Sequence, residues 1–386
     1  MKPLVIDADS HFMEPLDFVR LMDPALGAEV TEKAPTATGH ALIAEVFESV
    51  PVDERPPAEE FIPDKLKQVF DRFEGRAGAE DTEVFDDPSV QVMFDPPGGK
   101  GGAERIEILD RHGIDVQIVN PNLAMAAVRA ALRAETGLGL RVAEAYNTWA
   151  GSAVDGYTDR LLFTTVVPLD DVDWAVGELR RTRELGSRTW AMPLNPTGGR
   201  GLGDSHYDRL WAASLDLDMI PLLHVGFGWP RIDLDWLRID GQISSQMMMR
   251  MGSGLMRTLP QTVLSHLVYR GVFDRFPDLK VCVQEFNLDW IDLWLDTLPN
   301  LFFPWEHKAA PEEILANNLR FTPLRDQDVA SVIDRHGPDL VCYASDYPHL
   351  EGIASDWDYF DRHLAGYDAA TRDRFNGGNM AALLGL

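Results

Sequence analysis

The sequence predicts an α/β protein, a (β/α)8 TIM barrel with an inserted segment after its first strand. Three observations carry this expectation. Short apolar runs alternate with stretches of helical spacing along 386 residues, which implies a parallel sheet; eight such runs favour a closed barrel over an open sheet. Four of the runs lead into a residue able to bind a metal: Asp9-Ser-His11, His224, Glu285 and Asp346. Parallel barrels gather the C-terminal ends of their strands at one mouth, where chemistry is done. The open nucleotide-binding alternative lacks its phosphate loop, since neither Gly-x-Gly-x-x-Gly after the first run nor Gly-x-x-x-x-Gly-Lys-Ser/Thr occurs.

The elements follow in order. Pro3–Asp7 is the first strand. From about Ala25 to Gly102 the pattern lapses into Pro, Gly and charge, with one amphipathic stretch at Asp64–Phe73. This segment reads as an insertion over one end of the barrel, a lid or an interface element, within a single domain spanning 1–386. Ala103–His112 has helical spacing and Gly113 suits its stop. Strands are expected at Asp115–Val119, Leu161–Pro168, Arg188–Met192, Met219–His224, Leu279–Glu285, Leu319–Thr322 and Leu340–Ala344. Helices are expected at Val142–Val154, Asp171–Leu185, Tyr207–Leu215, Leu288–Leu298, Gln327–His336 and Ala369–Leu384. A long helical region, Gln242–Phe273, carries the cluster Met247-Met-Met-Arg-Met251.

Composition narrows the function. A net charge of −27, from 62 acidic and 35 basic residues, argues against nucleic acid and anionic membranes as partners. Cys282 and Cys342 both sit in apolar runs, so buried thiols in a reducing cytoplasm are expected rather than a disulfide framework. The opening MKPLVIDADSH has no apolar core of a signal peptide, and no apolar run approaches the roughly 18 residues of a membrane helix. A soluble cytoplasmic protein is the expectation.

Asp9 and His11, one residue apart, face the same side of an extended segment. Carboxylate and imidazole together suit zinc, manganese or iron. The bland alternatives are that Asp9 caps a turn, His11 and His224 pack passively, and Glu285 pairs with an arginine. A carboxylate at the end of a buried strand is costly unless paired, hydrogen-bonded or metal-bound. Asp346 is placed to bind metal or take a proton, with His349 and Glu351 just beyond; Glu14 is a further carboxylate, or a helix cap. Trp229, Trp236, Phe227 and the Met cluster are candidates for a pocket wall, Asn120, Asn122 and Asn195 for ligand hydrogen bonds, and Arg200 and Arg231 for a carboxylate clamp.

These residues carry a resemblance. Ile6-Asp-Ala-Asp-Ser-His-Phe-Met-Glu-Pro15, Leu222-Leu-His224, Gly271–Val281, Ala344-Ser-Asp-Tyr-Pro-His349 and Asn379–Leu386 resemble the amidohydrolase superfamily. Within it they are similar to the amidohydrolase-related (amidohydrolase family 2) branch typified by aminocarboxymuconate-semialdehyde decarboxylase. The resemblance implies a metal-bearing TIM barrel with its active site at the strand ends. The usual first-strand His-x-His reads Asp9-x-His11 here, as in related aromatic-acid decarboxylases that bind one metal. The sixth-strand position, often His, is Glu285, and the Gly-His-x-Gly-Glu segment of some members is absent. No Lys suited to a carbamylated bridge ends the fourth strand. Dimers are common in the branch, so a homodimer or higher homo-oligomer is implied.

The expected metal ligands are therefore Asp9, His11, His224, Asp346, Glu14 and Glu285, holding one divalent ion or two (Zn, Mn or Fe). The expected catalytic residues are Asp346, His224, Glu285 and His349. Two reactions on a small organic carboxylate or carbonyl compound use this set equally: cofactor-free decarboxylation, and hydrolysis by metal-activated water. A dinuclear Fe/Mn oxygenase ranks third, and a non-catalytic binding barrel is the remaining class.

Overall fold

In a computed structural model the described residues are 3–15, 17–34, 96–299, 304–349, 351–353 and 356–386. The expected insertion, including its amphipathic stretch, falls mostly outside them. Its expected start at Ala25 lies inside a helix, Pro24–Lys33, capped by the Asp23 carboxylate on the amides of Ala25 and Leu26.

Seven parallel strands form one curled sheet. They are β1 (Ile6–Asp7), β2 (Val116–Val119), β3 (Leu161–Val166), β4 (Thr189–Ala191), β5 (Ile220–His224), β8 (Val281–Gln284) and β9 (Leu319–Phe321). A small antiparallel hairpin, β6 (Arg238–Ile239) with β7 (Gln242–Ile243), stands apart from the sheet. Neighbours in the sheet follow chain order, as in a singly wound barrel. The strands are buried on both faces, which is why they read as continuous apolar runs.

The eighth strand is a correction. Residues 340–347 do lie between β9 and β1: Cys342 N bonds Phe321 O at 2.9 Å and Ala8 N bonds Tyr343 O at 2.9 Å. Only isolated bridges result, at Val341 and Tyr347. The amides that would extend a ladder are taken elsewhere. Tyr343 N bonds Phe375 O at 2.9 Å, and Ser345 N bonds the Asp7 carboxylate at 2.8 Å. The cylinder is thus closed by an extended segment rather than a regular strand.

Inside the sheet, Ile6, Ala8, Val116, Ile118, Leu162, Ile220, Leu222, Cys282 and Cys342 form one cluster, sealed below by Met380 and Leu384 of the helix Asn379–Leu384. The terminal segment reaches β1 closely enough that a Cβ on Gly377 would collide with Leu4 O. Both cysteines are free and buried, as expected. A larger core fills the space between sheet and outer helices. Gly113 does end the helix Gly102–His112, at φ 70°.

The long helical region is also corrected. Gln242–Phe273 divides into β7 and helices Ser245–Leu255, Thr258–Tyr269 and Val272–Arg275. Ser244 caps the first through its hydroxyl, Pro260 sits in the first turn of the second, where a missing amide costs nothing, and Gly271 at φ 65° ends it. Met247, Met248 and Met251 pack with Leu237 and Ile243 into a separate small core. No helix among the described residues is long and apolar enough to cross a membrane.

Candidate metal centre

At the C-terminal mouth of the barrel the structure brings together Asp9, His11, His224, Glu285, Asp346 and His349. They form two overlapping groups, His11–Glu285–Asp346–His349 and Asp9–His11–His224, with ligand atoms within 4.8 Å of one another in each. His11 Nε2 lies 3.6 Å from Asp9 Oδ1 and 3.4 Å from Asp346 Oδ1. His224 Nε2 lies 3.2 Å from Asp9 Oδ1 and 3.3 Å from Glu285 Oε2.

Local backbone aims these groups. Glu285 and Asp346 directly follow the ends of extended segments and both are left-handed, at φ 64° and 52°. That conformation costs a non-glycine residue about 1 kcal/mol or more, and it persists where surrounding contacts fix it. Here it breaks the strand alternation at the two positions whose carboxylates join the cluster. Asp346 N is held by Asp9 O at 2.8 Å, and Glu285 N by Thr322 Oγ1 at 3.3 Å.

The imidazoles are oriented too. His224 Nδ1 lies 2.6 Å from Val225 O, and His11 Nδ1 lies 3.3 Å from Pro121 O. A carbonyl only accepts, so each Nδ1 carries the proton and each Nε2 turns toward carboxylate oxygens. A lone pair facing a carboxylate is repulsive unless a proton or a metal cation lies between them. His11 Nε2, Glu285 Oε2 and Asp346 Oδ2 are buried without any hydrogen-bond partner. Three orphaned polar atoms in one cluster of ligand-type side chains fit a divalent cation, and N/O donors with several carboxylates fit manganese, iron or zinc.

The electrostatics agree. Burial, with His349 adding to it, lowers the His11 imidazole to about 4, the neutral form that a ligand requires. Burial and the neighbouring Asp346 and Asp9 carboxylates push Glu285 well above the usual carboxylate range. Burial opposes a charge on His224, yet Asp9 beside it raises the imidazole overall. A proton on that ring, or a cation beside it, neutralises the same carboxylates. His349 donates Nδ1–H to Asp346 Oδ1 at 2.9 Å; burial works against its charge, but Asp346 raises it to about 9. The same contact outweighs burial at Asp346 and lowers that carboxyl. His349 is the one member with appreciable exposure, 15% of its side chain, and its ring lies 4.1 Å from that of His11.

Other expected residues lie elsewhere. Glu14, expected among the ligands, accepts the amides of Asn122 at 2.8 Å and Leu123 at 3.1 Å, ahead of the helix Ala124–Ala134. Its acidic oxygens answer helix-terminal donors rather than the cluster. Phe227 does stack on His224, with centroids 5.0 Å apart, but Trp236 is 71% exposed on the outside. Asn122 Nδ2 is turned to Met13 Sδ, and Asn195 clamps the Trp229 backbone through both its amide atoms. Arg231 lines a separate cleft with Trp229 and Met248, and Arg200 pairs its backbone with Thr197.

A cleft of about 470 Å³ opens beside the cluster, with Glu285 in its wall beside Val225, Met256, Phe286, Arg257 and Asn287. Arg257 is tied to Asp289 at 2.6 Å. A larger cavity of about 830 Å³ is lined by Thr158, Arg183 and Arg188 among others. Those residues precede or flank the N-terminal ends of β3 and β4, the end of a barrel that serves stability rather than chemistry.

No curated protein matches the chain. Among solved structures, an amidohydrolase from Mycobacterium avium subsp. paratuberculosis is 21% identical, with a TM-score of 0.69 over 100% of this chain and 99% of its own. A dihydroxybenzoic acid decarboxylase from a Polaromonas species, with bound manganese and 2-nitroresorcinol, is 19% identical, with a TM-score of 0.62 over 99% and 97%. A 5-carboxyvanillate decarboxylase from Novosphingobium aromaticivorans, complexed with manganese and 4-hydroxy-3-methoxy-5-nitrobenzoic acid, is 17% identical, with a TM-score of 0.64 over 100% and 97%. These likenesses establish the barrel. The sequence profile described as amidohydrolase matches residues 6–386, and the chain belongs to that family.

Proposed function

We propose that this protein is a divalent-metal-dependent decarboxylase of a small aromatic carboxylic acid, working without an organic cofactor. The carrying observation is the convergence of two Nε2 atoms and three buried carboxylates, with His11 Nε2, Glu285 Oε2 and Asp346 Oδ2 orphaned. Asp9, His11, His224 and Asp346 would hold the ion, with Glu285 completing the set or taking a proton. One ion is the better reading than two. Both ligand groups need His11 Nε2, and an imidazole nitrogen has one lone pair to give. This argument also disfavours the dinuclear oxygenase. The solved decarboxylases with manganese support manganese as the ion. A divalent cation bound there supplies electrostatic stabilisation to substrate oxygens.

The residues supply the rest. The overall change is R–COO⁻ plus H⁺ to R–H plus CO2: the carbon–carbon bond breaks, its electron pair stays on the ring carbon, and a proton replaces the carboxyl group. That reaction needs an acid at the mouth. His349, hydrogen-bonded through Nδ1 to Asp346 and the partly exposed member of the cluster, is the proton donor we assign. Val225, Met256 and Phe286 offer apolar walls, and a cleft of about 470 Å³ has room for a single-ring acid. Hydrolysis would instead ask the accessible group to act as a base.

We further assign a cytoplasmic homo-oligomer. The buried free thiols of Cys282 and Cys342 support the reducing compartment. The exposed Trp236 and Ile239, at 71% and 49%, support self-association through the hairpin and the helical turn before it. The test is anaerobic CO2 release from a panel of hydroxylated benzoic acids by manganese-loaded enzyme. CO2 with the matching arene is expected. Turnover of amides or esters without CO2, or a requirement for O2, would overturn the proposal.

A further inference from the structure

Beneath the metal centre a layer of polar side chains crosses the barrel interior. Asp9, Asn120, Thr164, Thr189 and Gln284 are all buried. Asn120 Nδ2 lies 2.8 Å from Asp9 Oδ1 and 3.2 Å from Gln284 Oε1, while its Oδ1 lies 2.6 Å from Thr164 Oγ1. Thr164 Oγ1 in turn lies 2.9 Å from Thr189 Oγ1. Gln284 Nε2 is turned to Ala8 O, a pure acceptor, which fixes Oε1 toward Asn120.

These partners allow one arrangement of protons. Asp9 Oδ1 and Gln284 Oε1 both accept, so the Asn120 amide presents its NH2 to both. Its Oδ1 must then accept, so Thr164 donates to Asn120 and receives from Thr189. The chain runs one way, from Thr189 on β4 through Thr164 on β3 and Asn120 after β2 to Asp9 after β1. Each donor polarises the next, so the bond reaching Asp9 is stronger than an isolated one. It ends on Oδ1, the same oxygen that faces His11 Nε2 and His224 Nε2.

We infer that Asn120 is a positioning residue for the candidate ligand Asp9, and that Thr164 and Thr189 act through it. The inference rests on the metal-binding reading above. Asn120 occupies one lone pair of Oδ1 and would leave the other for an ion held by the cluster. All its own polar atoms are engaged, so it does not itself bind substrate. Partners that orient a metal ligand are worth about 10- to 100-fold in metal affinity.

The test is manganese titration followed by the EPR signal of the free ion, with folding checked by near-UV circular dichroism. Asn120→Leu should weaken binding about 10- to 100-fold. Thr164→Val removes only the hydroxyl that orients the amide and should weaken binding several-fold, whereas Thr164→Ser keeps it and should restore the wild-type value. The valine–serine pair decides the matter even where Asn120→Leu does not fold. Wild-type affinity in both folded Asn120→Leu and Thr164→Val, or in Thr164→Val alone where Asn120→Leu is unfolded, would overturn this inference alone. Absence of manganese binding by the wild-type chain would overturn the metal-binding reading as well.

Discussion

Glu14 offers a sharp test of the electrostatics because its chemistry separates from that of the cluster. The carboxyl is 4% exposed and accepts two backbone amides, from Asn122 and Leu123. Burial outweighs those hydrogen bonds and lifts it from the usual 4.5 to about 7. That rise corresponds to about 3 kcal/mol. The sign follows from which state binds the proton more tightly. Here the folded state does, so the stabilising contribution is present below the unfolded value of 4.5 and is lost as pH rises through about 7. Between about pH 5 and about pH 8 it should shrink by roughly 2–3 kcal/mol. Glu14→Gln keeps the shape, keeps one acceptor and removes the titration. The assay is urea unfolding of both proteins at both pH values. The advantage of wild type over Glu14→Gln should fall by that amount at the higher pH, other groups cancelling in the difference. An unchanged advantage would refute the reasoning. Retained metal in Glu14→Gln is expected as well, since the oxygens of Glu14 are turned to backbone amides.

Further predictions concern the mouth and the seam. His349→Gln should lower kcat by about 10²- to 10⁴-fold, as loss of a general acid does, while metal content measured by elemental analysis stays at the wild-type level. Asp7→Asn should destabilise the fold by roughly 2–4 kcal/mol, read by urea unfolding. Asp7 accepts Gln117 Nε2 at 2.7 Å and Ser345 N at 2.8 Å on different oxygens, so an amide must turn its NH2 against one of these donors.

Much of this was legible in the chain. Parallel strands buried on both faces leave unbroken apolar runs, so seven of the eight were found near their observed bounds. The eighth failed because its amides are diverted to Asp7 and Phe375, partners more than 30 residues away in sequence. The helical region after β5 failed because periodicity alone does not weigh Gly271 and Pro260 as punctuation. The site itself was readable as metal-binding residue types at run ends, since a barrel collects those ends. Glu14 misled because a carboxylate three residues past His11 looks like a ligand. The amides that claim it come from the loop after β2. Asn120 was visible only as a polar residue ending a strand. Its role depends on Thr164 and Thr189, which look like ordinary strand residues. The left-handed backbone of Glu285 left no trace, since glutamate has no preference for that region.

The most direct measurement is elemental analysis of purified wild-type protein beside His224→Ala. The account predicts about one equivalent of a divalent transition metal in wild type and a large loss in the variant, because His224 Nε2 faces Asp9 and Glu285 across the site. No metal in wild type, or full retention by His224→Ala, would contradict it.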